Sequence, residues 1–154
     1  MRTCVLEDQY GFILHYRVMQ KETDEQVAVA MVTEAQNNFL TLKQCSYDKG
    51  FHSKANQEYL RNHLELVILP KKGRRNKKES ELENSTEFKA GRRQHSAVES
   101  AINALQVHGL NKCPDHGIVG FKRYVALGVL AWNIQNLGTV LGKKAVLLLL
   151  KQAA

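Results

Sequence analysis

The chain has 154 residues, 44% hydrophobic and 24% charged, close to the globular averages of about 45–50% and 25%. That excludes a disordered, collagen-like or coiled-coil chain and fits one domain of about 100–200 residues. The net charge of +7 makes a polyanion the first partner to consider. Cys4, Cys45 and Cys113 are odd in number and widely spaced, which does not make a disulfide framework and predicts reduced thiols in the cytoplasm. No apolar run reaches the roughly 18 residues of a membrane span, and Met1–Glu7 lacks the apolar centre of a signal peptide, so no membrane association is expected.

Val5–Asp8 and Phe12–Met19 flank Gln9-Tyr10-Gly11, which predicts a β-hairpin. Thr23 or Asp24 can cap a helix running to about Asn38, with Val27, Ala30, Met31 and Ala35 at helical spacing. Leu40–Tyr47 reads as a third strand ending at Asp48-Lys49-Gly50. Ser53 can cap a second helix through Asn62, with Tyr59 and Leu60 inward. Leu64–Leu69 is a fourth strand, stopped by Pro70. A basic linker follows over 71–93. Beyond it, Ser96 can cap a helix with Val98, Ala101, Ile102 and Leu105 on one stripe. A long helix from Phe121 to about Leu141 is apolar on most sides and is expected to be largely buried. The order β-β-α-β-α-β, basic linker, α-α implies an α/β fold with a mixed sheet and packed helices.

The charge is unevenly placed. Residues 1–70 balance at −2, residues 71–93 at +5 and residues 94–154 at +4. Lys71, Lys72, Arg74, Arg75, Lys77 and Lys78 fall within eight positions with no acid among them, and Arg92, Arg93 and His95 close the stretch. A solvated loop would carry such a run for solubility, but a basic stripe is also the electrostatic footprint of nucleic-acid binding.

Two carboxylates stand out. Asp48 lies where a strand ends, the edge of an α/β sheet at which functional groups collect, although Asp-x-Gly is also ordinary turn chemistry. Glu99 is one of only two acids after Glu87 and lies off the apolar stripe, in line with His95, Asn103 and Gln106. An acid in a first helical turn also interacts well with the helix dipole. A carboxylate pair beside a basic track suits Mg²⁺ or Mn²⁺ and phosphoryl transfer.

Ser46-Tyr47-Asp48-Lys49-Gly50-Phe51-His52-Ser53, Leu69-Pro70-Lys71-Lys72-Gly73 and Arg92-Arg93-Gln94-His95-Ser96-Ala97-Val98-Glu99-Ser100-Ala101-Ile102-Asn103 resemble the C-terminal part of bacterial insertion-sequence DDE transposases. Cys113-Pro114-Asp115-His116-Gly117 and Gly120-Phe121-Lys122-Arg123-Tyr124 belong to the same resemblance. It implies an RNase H-like domain that cuts and joins DNA at insertion-sequence ends with three carboxylates and Mg²⁺ or Mn²⁺. Asp48 and Glu99 would be the second and third of these, catalytic and metal-binding. The first Asp and the central strand that carries it have no counterpart in the sequence. The resemblance thus implies a chain inactive alone, partnered by DNA and by the N-terminal part of the transposase or a second copy, in the bacterial cytoplasm.

Two other readings compete. One is a non-enzymatic basic DNA-binding module that complements or interferes with a full-length transposase; the other is an RNase H-like scaffold that binds protein. Among lesser signals, His108, Cys113 and His116 supply only three ligands for zinc and no Cys-x-x-Cys, so a loop held by local hydrogen bonds is expected. Lys122 and Arg123 can extend the basic track. His52 lies near enough to Asp48 to touch phosphate or to serve the surface. Trp132 is expected in the core, and Cys4 and Cys45 as small buried hydrophobes.

Overall fold

The structure, a computed structural model, describes residues 2–93 and 113–152. It is a mixed α/β protein with two small sheets. Strands β1 (Arg2–Glu7) and β2 (Ile13–Met19) form an antiparallel hairpin with a bulge between Leu6 and Glu7. Its turn is built by Asp8, whose Oδ1 accepts from the N–H groups of Tyr10 (2.8 Å) and Phe12 (2.9 Å). Gly11 supplies the positive φ of 85° that residues with a Cβ adopt at a cost.

Helix α1 (Asp24–Gln36) follows N-cap Thr23 and buries Val27, Ala28, Met31, Val32 and Ala35. Strand β3 (Gln44–Ser46) leads through a 3₁₀ turn (Lys49–Phe51) into α2 (Lys54–His63), whose N-cap Ser53 accepts from Asn56 N–H at 3.1 Å. Strand β4 (Leu66–Ile68) then pairs parallel to β3, as the intervening helix requires.

The first core joins α1, α2 and one face of the strands: Leu6, Met19, Val27, Met31, Val32, Tyr47, Leu60 and Leu69 are all buried. Tyr47 donates its hydroxyl to the Ala28 carbonyl at 2.9 Å, so α1 is tied to the end of β3. The opposite face of the hairpin carries a second, smaller cluster, in which Ile13 packs with Val125 and Val129.

Helix α3 (Lys77–Asn84) comes next, then a helix α4 that covers residues 86–93 of the described chain. The stretch expected as a basic linker is therefore largely helical. Its acids explain this: Asn76 and Glu79 form a capping box at 2.8 and 2.9 Å, which satisfies two of the helix's orphan N–H groups. Phe88 is buried, and Gly91 lies so close to β4 that a Cβ there would come within 2.5 Å of Ile68 Cγ1. The segment is fastened to the sheet.

Other expectations are corrected as well. The strand expected over 40–47 is only Gln44–Ser46, because Leu42 N–H closes a turn on Phe39 O at 3.0 Å and Leu40 lies 86% exposed. Tyr59 faces outward and stacks on His63 with ring centroids 3.9 Å apart. The expected single mixed sheet is two sheets of two strands each.

The last helix, α5, runs Gly117–Gln152, starting earlier and ending later than its apolar pattern suggests. It is not largely buried: Val125 and Val129 are, but Leu127, Leu130, Ile134 and Leu137 are exposed. Over Gly117–Lys151 it is long and apolar enough to cross a membrane, which counting uninterrupted apolar runs does not detect. Its first half nevertheless docks on the hairpin through polar anchors.

Candidate nucleic-acid interface

Asp48 stands exposed at the end of β3 and caps the 3₁₀ turn, its Oδ1 accepting from Lys49 N–H at 2.7 Å. The turn it caps is fixed from two sides. Asn56 Nδ2 donates to Phe51 O at 3.0 Å and to Glu25 O at 2.7 Å. A Cβ on Gly50 would come within 3.1 Å of Asp24 Oδ2, so the start of α1 lies against the turn. Asp24, which the sequence offers only as a helix cap, brings a second carboxylate here and pairs with Arg2 at 3.3 Å. His52 is buried just beyond.

Glu99 and His95 lie outside the described residues. Among the described residues no group of three His, Cys, Asp or Glu side chains is placed to hold a metal ion. A divalent cation needs about six oxygen ligands, and Asp48 alone, with one oxygen engaged by a backbone N–H, does not fit a self-contained site for it.

The basic run is divided by the fold. Lys71 Nζ donates to both oxygens of Glu79, at 2.7 and 2.6 Å, and its N–H donates to Glu83 Oε1 at 2.9 Å. Arg75 Nε pairs with Glu83 Oε2 at 3.2 Å. The Lys71 ammonium, aided by Asn76 N–H, holds the Glu79 carboxyl below its ordinary range, and His52 adds to the effect. Parallel pairing sets the end of β4 beside the end of β3, where Tyr47 N–H donates to Ile68 O at 2.8 Å, and Lys71 follows three residues after Ile68.

Two of the six cations are thus spent inside the segment. Lys72, Arg74, Lys77 and Lys78 are exposed and have no ion-pair partner among the described residues. Lys77 and Lys78 begin α3, where the positive end of the helix dipole adds to their field. Arg92 and Arg93 are exposed on α4. Lys49, next to Asp48 in the chain, and Lys54, the first residue of α2, are also exposed; their signal is proximity to the turn in sequence rather than clustering.

Arg123 is neutralised by Asp115 at 2.9 Å. Asp115 also accepts from His116 N–H at 2.8 Å, and its carbonyl accepts from the Cys113 thiol at 3.4 Å. The Cys113–His116 loop is held by these bonds, while His108 lies outside the described residues. Trp132 is half-buried against the hairpin and donates Nε1–H to Gly11 O at 2.8 Å. Burial pushes the Cys4 and Cys45 thiols up to about 11, which leaves neither a nucleophile near neutral pH.

No protein family, no curated protein and no solved structure matches this chain.

Proposed function

We propose that the chain is a DNA-binding, RNase H-like part of a DDE transposase, catalytically incomplete alone and working in the bacterial cytoplasm. Its partners on this reading are insertion-sequence ends and the remainder of the transposase. The single observation that carries the DNA-binding reading is the anchored cationic surface. Lys72 and Arg74 are exposed in the turn before α3 and Lys77 and Lys78 on its first turn, and the Lys71–Glu79 and Arg75–Glu83 pairs tie that turn to the helix. A free basic loop would pay an entropic cost on binding phosphate, whereas this surface is ordered beforehand. The transposase lineage rests on the sequence resemblance around Asp48 and Glu99. Mg²⁺ or Mn²⁺ would be the complete enzyme's cation, with Asp48 and Glu99 among its ligands.

The test is duplex binding by fluorescence anisotropy across a salt series. Binding should weaken steeply with salt, because neutralised phosphates release counterions. Replacing Lys72, Arg74, Lys77 and Lys78 by Gln should lower the log–log salt slope by about 3; an unchanged slope refutes the reading. A nicking assay with Mg²⁺ should show no turnover by the chain alone. Turnover that disappears in Asp48→Ala would show instead an enzyme complete in itself. A fragment that restores Mg²⁺-dependent cleavage on mixing separates the transposase lineage from a non-enzymatic DNA-binding module.

A further inference from the structure

Helix α5 outruns the fold it docks on. Trp132, Asn133 and Asn136 tie one side of it to the hairpin. It then continues from Asn136 to Gln152, about 24 Å further at the rise of an α-helix. On the side away from the hairpin, Leu127, Leu130, Ile134, Leu137, Leu141 and Leu148 follow one another in steps of three, four or seven residues. That spacing sets them in a single stripe. All six are 48–64% exposed, and only 11% of the most apolar stretch of the helix is buried in the fold. Continuous apolar patches of this kind mark interaction surfaces.

Charge and shape together select what the stripe meets. From Gly117 to Gln152 the sequence holds five cations and no acid. Lys143, Lys144 and Lys151 are exposed around the leucines, so positive charge alone rims this end of the stripe. Two copies face to face would bring like charges together, which costs free energy, whereas an anionic surface complements them. Leu147, Leu148, Leu149 and Leu150 are consecutive and all exposed. Successive residues of a helix point about 100° apart, so these four cover every side of the last turns. A protein groove covers one side of a helix, but a helix apolar all round belongs in a core or in lipid. Gly138 and Gly142 have nothing within 4 Å of where a Cβ would stand, so no described residue closes over them.

We infer that the outer side of α5 is a docking surface for an anionic phospholipid membrane. The helix lies along the surface with its leucine stripe among the acyl chains. Lys143, Lys144 and Lys151 reach the headgroup phosphates while their apolar stems stay against the helix. The helix does not cross the bilayer. Its first half is held to the hairpin by polar anchors, and the 16 residues from Leu137 to Gln152 fall short of the roughly 20 that a span takes. The inference stands apart from the DNA reading, because the basic run over 71–78 lies on other elements.

The experiment measures co-sedimentation of the full chain with vesicles of phosphatidylcholine and phosphatidylglycerol in equal parts. Binding should be at least about tenfold weaker to vesicles of phosphatidylcholine alone. Replacing Lys143, Lys144 and Lys151 by Gln should weaken it about a hundredfold, since each lysine at an anionic surface contributes roughly a factor of five. Replacing Lys72, Arg74, Lys77 and Lys78 by Gln should weaken it less. Depth is read with Leu148→Trp, compared with the natural chain. On vesicle binding its emission should shift to the blue and be quenched by lipids brominated on their acyl chains, whereas Trp132, held at the hairpin, should not respond. Emission of Leu148→Trp already blue-shifted without vesicles would show the stripe covered by protein. That result, failure to bind, equal binding to both vesicle types, or a larger loss from the 72–78 replacements than from those in α5 would each overturn the inference.

Discussion

The hairpin is covered on both faces, and the two coverings are held by different physics. Beneath it, α1 and α2 meet the strands through a cluster of fully buried side chains, with Val27, Met31, Val32 and Leu60 at 2% exposure or less. Above it, α5 buries only Val125 and Val129 to a comparable degree and relies on polar anchors. Asn133 is bidentate to the backbone of Ile13, accepting from its N–H at 2.8 Å and donating to its C=O at 3.0 Å. Trp132 and Asn136 both donate to the carbonyl of Gly11. Apolar burial is non-directional and sets how strongly elements hold together; hydrogen bonds to one turn set where a helix sits. The lower layer therefore carries the stability of the hairpin, and the upper layer carries register.

That contrast can be broken by substitution. Leu60→Ala should cost about 2–5 kcal/mol in chemical denaturation, as buried leucine truncations do. Leu130→Ala on the exposed stripe of α5 should stay within about 0.5 kcal/mol. Equal effects would mean that the stripe is covered in the folded chain. Asn133→Ala should cost about 1–3 kcal/mol by leaving the Ile13 backbone groups unpaired. Limited proteolysis should then cut α5 while exchange protection of the β1–β2 amides persists. Simultaneous loss of both would show that the two coverings are one cooperative unit.

An effect smaller than the Leu60 and Asn133 losses concerns pH. Burial, with Asp8 adding to it, pushes the Glu7 carboxyl from its ordinary value near 4.5 up to about 7. Between those values the folded state keeps a proton that the unfolded chain releases, so stability declines as pH rises from about 4.5 to 7. Glu7→Gln should flatten that decline and raise stability at pH 8 by on the order of 1 kcal/mol, reduced by solvent screening of a half-exposed group. A stability profile that keeps its slope in the variant would place the titration elsewhere.

Much of the first half was legible because its signals are local. Gly11 marks the hairpin turn, Ser53 caps α2, and Pro70 closes the last strand; each acts through backbone geometry within a few residues. The misreadings came where partners compete. Leu40 and Thr41 have strand-forming neighbours but lie inside the turn that Leu42 N–H closes on Phe39 O. The cations of 71–93 suggest a linker, but Glu79 and Glu83 pair with Lys71 and Arg75 and Phe88 is buried, so the stretch is held in place. For the candidate site, Asp48 at a strand end was legible, whereas the approach of Asp24 to Gly50 was not, since 26 residues separate them in the chain. The proposed pairing of Asp48 with Glu99 lies outside the described residues.

By itself, then, the sequence determined which segments are strands or helices in the hairpin, α1, α2 and β4, and that positive charge gathers after Pro70. Those properties depend on neighbours in the chain. Only the tertiary structure decided that two sheets stand apart, that Lys71 and Arg75 are neutralised, and that α5 exposes much of its apolar surface. Each of these depends on which distant group reaches a given side chain or strand edge first, and a linear pattern holds no distances between its remote parts.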